Sequence, residues 1–238
     1  MTGSALRRLI ARPGAAPGQR VVGSGGEAEE RCELCAAPLP EAHRHLLDLK
    51  ARELRCACRP CSVLFDGPGG PPHSEDAGGT GAVGGPYRLV PDRRWLLDGF
   101  ELDDETWAGL SIPVRMAFLL HDAAARRTAL FYPSPAGAVE SPLEPSLWRR
   151  LEEANPVLRR VTPDVEALLV NRTGAAGEHW IVPVDDCYAL VGLLRTHWKG
   201  LAGGARVWDA INDFFGELRE RSTTVPAARN PTVEGRTR

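Results

Sequence analysis

Five cysteines within residues 32 to 61 decide what the N-terminal part of this chain can become. They read Cys32-Glu33-Leu34-Cys35, then, after a short insert, Cys56-Ala57-Cys58-Arg59-Pro60-Cys61. Two cysteines at i and i+3 on a tight turn aim both sulfurs at one point, and two such pairs face to face complete a tetrahedron around a metal ion. The insert suits that purpose. His45 to Leu49 is a short apolar run, Lys50-Ala51-Arg52 can turn, and Glu53 to Cys56 leads back to the second pair. The pattern predicts a two-stranded hairpin with a knuckle at each end, the plan of a zinc ribbon or a rubredoxin-like module.

The ligand set read from the spacing is Cys32, Cys35, Cys58 and Cys61, because the second pair repeats the interval of the first. Cys56 is then a spare thiol or an alternative ligand. His43 and His45 are read as surface residues of the hairpin, with replacement of a sulfur as the lesser alternative. A disulfide framework is disfavoured, since no apolar signal-peptide core stands near the N-terminus and the chain is expected in the reducing cytoplasm. A thioredoxin-like redox pair needs one Cys-x-x-Cys on a βαβ unit, not two facing pairs. Four thiolates suit Zn2+ and Fe alike. Zinc is preferred because rubredoxin-type sites place Gly after each pair, whereas Ala36 and Ser62 follow here. A Rieske centre is excluded by the lack of a Cys-x-His pair.

Beyond this module the composition is that of a soluble globular protein, 43% hydrophobic and 25% charged over 238 residues. No apolar run reaches the ~20 residues of a membrane span. A net charge of -2 gives no global pull toward nucleic acid. Arg44, Lys50, Arg52, Arg55 and Arg59 are interleaved with Glu41, Asp48 and Glu53, a mixed solvated surface.

Taken in order, residues 1–30 are Arg-, Gly-, Ala- and Pro-rich and read as a disordered lead-in. Residues 31–66 are the metal module. Residues 67–86 run through repeated Gly and Pro and read as a linker. Residues 87–221 form a second domain, and residues 222–238 a disordered tail. In the second domain Tyr87 to Val90 predicts a short strand, and Asp103 or Asp104 can cap a helix carrying Trp107 and Leu110. Val114 to Leu120 and Thr128 to Tyr132 predict a β-hairpin around His121 to Arg127. A helix follows, entered through a capping box at Ser141 to Glu144 or at Pro145, and closed by Asn155-Pro156. Val165 to Val170 and His179 to Val184 predict a second hairpin. Asp185 or Asp186 then caps a helix whose Cys187, Leu190, Val191, Leu194 and Trp198 share one face. A final helix carries Val207, Trp208, Ile211, Phe214, Phe215 and Leu218. The expected class is α+β: a small metal ribbon, a linker, then an antiparallel sheet covered on one face by helices.

Reactive residue types in the second domain have plain structural readings. Cys187 lies on an apolar stripe and reads as an inert buried thiol. Asp185 and Asp186 read as a helix N-cap before they read as an acid/base pair. His121-Asp122 sits on a hairpin turn with no partner nucleophile in view. His179 and His197 neighbour Trp180 and Trp198 and read as packing residues. Asn171-Arg172-Thr173 matches a glycosylation sequon that has no meaning without secretion. No set of these converges on a reaction.

The chain resembles an uncharacterised family of actinobacterial cytosolic proteins. The likeness is carried by the cysteine motifs above, His43 to Leu49, Tyr87 to Arg93, Ala154 to Val157, His179 to Asp186 and Arg195 to Trp198. The resemblance covers roughly residues 31 to 220 and implies no established activity. Genes of that family often lie near nickel–iron hydrogenase genes, which implies an accessory or maturation role with a protein partner, hydrogenase components among the candidates. The functional expectation is therefore a zinc-binding accessory protein. A rubredoxin-like iron electron carrier comes second, an enzyme with a site in the second domain third, and a nucleic-acid binder last.

Overall fold

The structure, a computed structural model, describes residues 30–65, 86–174, 177–200 and 203–227. The expected lead-in, the linker and the end of the tail fall almost wholly outside the described residues. The chain divides after Val90 into two compact units.

The first unit is built on the hairpin β1 (Arg44–Asp48) and β2 (Glu53–Ala57), registered from Arg44 opposite Ala57 to Asp48 opposite Glu53. Asp48 makes the turn locally: its Oδ1 accepts the N–H groups of Lys50 at 3.0 Å and Ala51 at 2.8 Å. A one-turn helix, α1 (Arg59–Val63), follows. The strand β3 (Tyr87–Leu89) pairs antiparallel with the other edge of β1, giving the order β2-β1-β3. Tyr87 to Val90, expected in the second domain, belong instead to the first unit. An open edge on β1 leaves backbone groups unpaired, and β3 covers it. Leu46, Leu47 and Ala57 form the buried centre of this unit.

The second unit is a seven-stranded sheet. Its strands are β4 (Trp95–Asp98), β5 (Met116–Asp122), β6 (Arg127–Ser134), β7 (Gly137–Ser141), β8 (Glu166–Asn171), β9 (Glu178–Pro183) and β10 (Thr223–Pro226), in the order β10-β4-β9-β8-β5-β6-β7. Both expected hairpins are present, β5 with β6 and β8 with β9. Two strands were not expected. Gly137–Ser141 is a strand, so Ser141 ends β7 instead of opening a capping box, and the next helix starts at Pro145. Thr223–Pro226, read as tail, pairs parallel with β4, so the sheet is mixed.

Among the described residues, five helical segments complete the unit: α2 (Asp104–Gly109), α3 (Pro145–Ala154), a 3-10 turn over Pro156–Arg160, α4 (Val184–His197) and α5 (Ala205–Glu220). Asp103 caps α2, its Oδ1 accepting from Thr106 N at 2.6 Å. The helices cover both faces of the sheet, not one. Leu110, Leu147, Leu151, Val157 and Leu158 pack with Ala117, Leu119, Leu130, Leu168 and Ile181 on one side. On the other, α4 lies against β6 to β9, and Phe215 of α5 stacks on Trp180 with ring centroids 5.4 Å apart. Residues 116–120 and 166–171 are therefore buried at every position, inward and outward alike. An unbroken apolar run such as Met116 to Leu120 is the sequence mark of a strand covered on both faces.

Asn155 stitches α3 to the loop after β4. Its Oδ1 accepts from Glu101 N at 2.7 Å, and its Nδ2 donates to Glu101 O at 2.9 Å and Leu151 O at 3.0 Å, with the residue fully buried. Asn155→Ala strands the Glu101 N–H and carbonyl, while Leu151 O keeps the backbone N–H of residue 155, and the variant is expected to cost roughly 2–3 kcal/mol in denaturant unfolding. A loss below about 0.5 kcal/mol, the level of an ordinary surface change, would show that water replaces all three bonds.

Candidate metal centre

The first cysteine pair sits on a knuckle that two backbone bonds close, Ala36 N to Cys32 O at 2.8 Å and Cys32 N to Ala37 O at 2.8 Å. Ala36 takes φ 61°, the left-handed conformation that glycine adopts most easily. Glu33 pins this knuckle to β2: its N–H donates to Cys56 O at 2.9 Å, and its Oε2 accepts from Cys56 N at 2.7 Å. The second pair is held differently from the expected knuckle. Cys58 is the extended residue that starts α1, and Cys61 lies in its first turn, with Pro60 filling an early helical position. Residues three apart in a helical turn share a side, so both sulfurs still point one way. The module is thus knuckle, hairpin and helix.

These supports bring Cys32, Cys35, Cys58 and Cys61 together, all four sulfurs within 4.8 Å of one another. Cys35 Sγ and Cys58 Sγ are 3.6 Å apart. That is too long for a disulfide, about 2.05 Å. It matches the roughly 3.8 Å edge of a tetrahedron with metal–sulfur bonds of about 2.3 Å. Cys32 and Cys58 are buried, Cys61 is half-buried and Cys35 is exposed. Burial alone would push the Cys32 thiol up, but hydrogen bonds from the backbone of Cys58, Leu34 and Cys35 bring it down to about 6. The Cys61 thiol is pushed up to about 12, first by Cys35 and Cys58 beside it and then by burial. Four sulfurs so close cannot all ionise without a cation between them, and a bound metal removes that conflict.

Cys56 does not join the four. It faces His45 across the β1–β2 ladder, and the donor atoms of His43, His45 and Cys56 form a separate group within 4.8 Å. The histidines are only partly exposed, not the surface residues expected, and the His43 side chain is 6% exposed. Period-2 spacing puts His43 and His45 on one face, but their meeting with Cys56 depends on strand register, which spacing alone does not give.

The other candidates stay apart. Cys187 is fully buried, and desolvation holds its thiol well above the usual range. Asp185 and Asp186 lie in the first turn of α4 without capping it; Asp186 is gripped by Arg94, whose Nη2 donates to Oδ1 at 3.0 Å. Burial nonetheless raises the Asp186 carboxyl, against the opposing pull of Arg94. His121 Nδ1 lies 3.3 Å from Thr128 Oγ1 across the hairpin, and Asp122 caps the turn through Ala125 N. His197 is exposed at the end of α4, and Asn171 bonds back to Thr173. Among the described residues no nucleophile, base and orienting group come together in the second unit.

His179 is buried, stacked on Phe100 at 4.5 Å. Desolvation, helped by the Arg172 charge, lowers it from 6.5 to about 4. The folded state therefore prefers the neutral ring. Its contribution is intact above pH 6.5 and is lost as pH falls toward 4. The expected loss across that window is at most roughly 3 kcal/mol. His179→Gln should flatten this part of the stability profile; an unchanged acid slope in the variant would refute the assignment.

A four-cysteine module able to hold a metal ion, followed by a second unit of α+β build, is the class of protein that this fold and site define. The chain belongs to a family of unknown function, DUF5947, whose match spans residues 31–222. No curated protein and no solved structure matches it. Among the described residues no helix is long and apolar enough to cross a membrane.

Proposed function

We propose that Cys32, Cys35, Cys58 and Cys61 hold a structural Zn2+ and that the chain is an accessory protein acting through a protein partner. The observation that carries this reading is the convergence of four sulfurs, with the 3.6 Å contact between the two pairs. Zinc is favoured over iron because only the first pair forms a knuckle of the rubredoxin kind, while the second opens a helix. The partner proposed is a component of a hydrogenase assembly or maturation system, located in the cytoplasm, and this rests on the family resemblance alone.

A second reading, a rubredoxin-like iron centre that passes electrons, draws support from the backbone hydrogen bonds onto the Cys32 sulfur, since such bonds tune iron–sulfur potentials. Elemental analysis with a visible spectrum, on protein purified without added metal, separates the two. Colourless protein with zinc that is lost in Cys35→Ser supports the structural site. Iron with thiolate charge-transfer bands makes the second reading correct. Protein that holds neither metal sinks both.

A further inference from the structure

A second donor set lies on the same ribbon. We propose that His43, His45 and Cys56 bind a second transition-metal ion, through two imidazole nitrogens and one thiolate. Register creates the set. His45 stands opposite Cys56 in the antiparallel ladder, and His43 precedes His45 by two residues, on the same side. The three donor atoms lie within 4.8 Å of one another. Tetrahedral coordination needs them about 3.3–3.7 Å apart, a shift that side-chain rotation supplies.

The hydrogen bonding of His43 suits a metal ligand. Its Nδ1 lies 3.0 Å from the Pro40 carbonyl. A carbonyl oxygen only accepts, so Nδ1 carries the proton and Nε2 is left with a lone pair. That Nε2 is buried without a hydrogen-bond partner among the described residues, in a side chain only 6% exposed. A buried unmatched acceptor destabilises the fold, and a metal ion would satisfy it. The Glu30 carboxylate stands 3.7 Å from Nδ1 behind the ring. Metal-binding histidines are commonly held through their second nitrogen by such a carbonyl or carboxylate, which fixes the tautomer and aims the ring. Cys56 is 1% exposed and outside any disulfide, and Glu33 anchors its backbone from the knuckle side.

Two imidazoles and one thiolate suit Zn2+ and Cu2+. Three protein donors leave a position for solvent or a small ligand, which a closed four-thiolate site does not. Cys56 precedes Cys58 by two residues of extended backbone, so their backbone positions are about 7 Å apart. Binding at the first would order the strand that carries the second. The second site does not depend on which metal the four cysteines hold.

The test uses the full chain, stripped of metal under reducing conditions and reconstituted with Co2+ alone. Wild type is expected to take up two equivalents. Its spectrum should combine tetrathiolate charge-transfer bands with exchangeable, hyperfine-shifted imidazole N–H resonances. His43→Ala should lose one equivalent and the imidazole resonances while keeping the tetrathiolate bands, which report a folded module. Cys56→Ala should give the same loss, and stands in if the histidine variant disturbs those bands. One equivalent in wild type, or two in both variants, overturns the proposal. Imidazole resonances without tetrathiolate bands would sink the four-cysteine reading and leave this one standing; the reverse pattern would sink this one alone. Elemental analysis of protein as purified then distinguishes zinc from copper.

Discussion

Cys35→Ser is expected to release the metal and unfold the first unit, although Cys35 is exposed. A serine at an exposed position of an ordinary surface changes stability by no more than about 0.5 kcal/mol. A ligand to structural zinc is another matter, because apparent binding energies of about 10–16 kcal/mol are also folding energy in a small module. Among its described residues the first unit has little else: a three-stranded sheet, one turn of helix and a few buried leucines. The sequence provides its own reporter, since Trp95, Trp107, Trp148, Trp180, Trp198 and Trp208 all follow Val90. Metal content and protection of the amides in residues 31–65 from exchange should collapse while the tryptophan-detected unfolding curve stays where it was. If the tryptophan transition moved with the metal, the two units would share their stability. If metal and protection both survived, Cys35 would not be a ligand.

Arg93→Ala is expected to destabilise the second unit by roughly 3 kcal/mol. Glu166, on β8, is fully buried, and Arg93 grips both its carboxylate oxygens through Nε and Nη2. Thr162 N adds a bond to Oε2 at 2.7 Å. The guanidinium of Arg93 also lies 4.2 Å from the centroid of Trp95, and that of Arg160 lies 4.1 Å from it. Removing Arg93 leaves a buried carboxylate whose charge is no longer balanced by its bidentate partner. Replacing both partners, Arg93→Met with Glu166→Leu, should cost much less, because no charge then remains to be buried. Denaturant midpoints at constant m-value measure both variants. A small loss in the single variant, or a double variant as damaged as the single, would mean that the pair does not act this way.

Much of this architecture is legible in the order of residues. The hairpins β5–β6 and β8–β9, the apolar faces of α4 and α5, the Asp103 cap and the stop at Asn155 follow from periodicity and local turn chemistry acting over a few residues. Some features carry a signal in the chain that runs against the expected layering. The run Met116 to Leu120 has no polar alternation, which marks a strand covered on both faces, yet one covered face was expected. Other features had no local signal at all. Thr223–Pro226 is short and polar enough to pass for tail, and only its parallel pairing with β4 makes it a strand. Tyr87–Leu89 reads as the start of a new domain until β1 offers it an edge.

The site divides in the same way. The chain by itself determined that the four cysteines could meet, because Cys-x-x-Cys fixes the geometry of each pair within one turn of backbone and the apolar insert is long enough to fold back between them. It also determined that Cys187 would be buried, since a helical stripe commits its residues to one side. Only the tertiary structure decided that the second pair would open a helix instead of closing a knuckle. The structure alone placed Cys56 with His43 and His45: that depends on which residue of β2 stands opposite His45. A slip of one position would turn the thiol to the other face, and register is settled by how Leu46, Leu47 and Ala57 bury together, which no local spacing encodes.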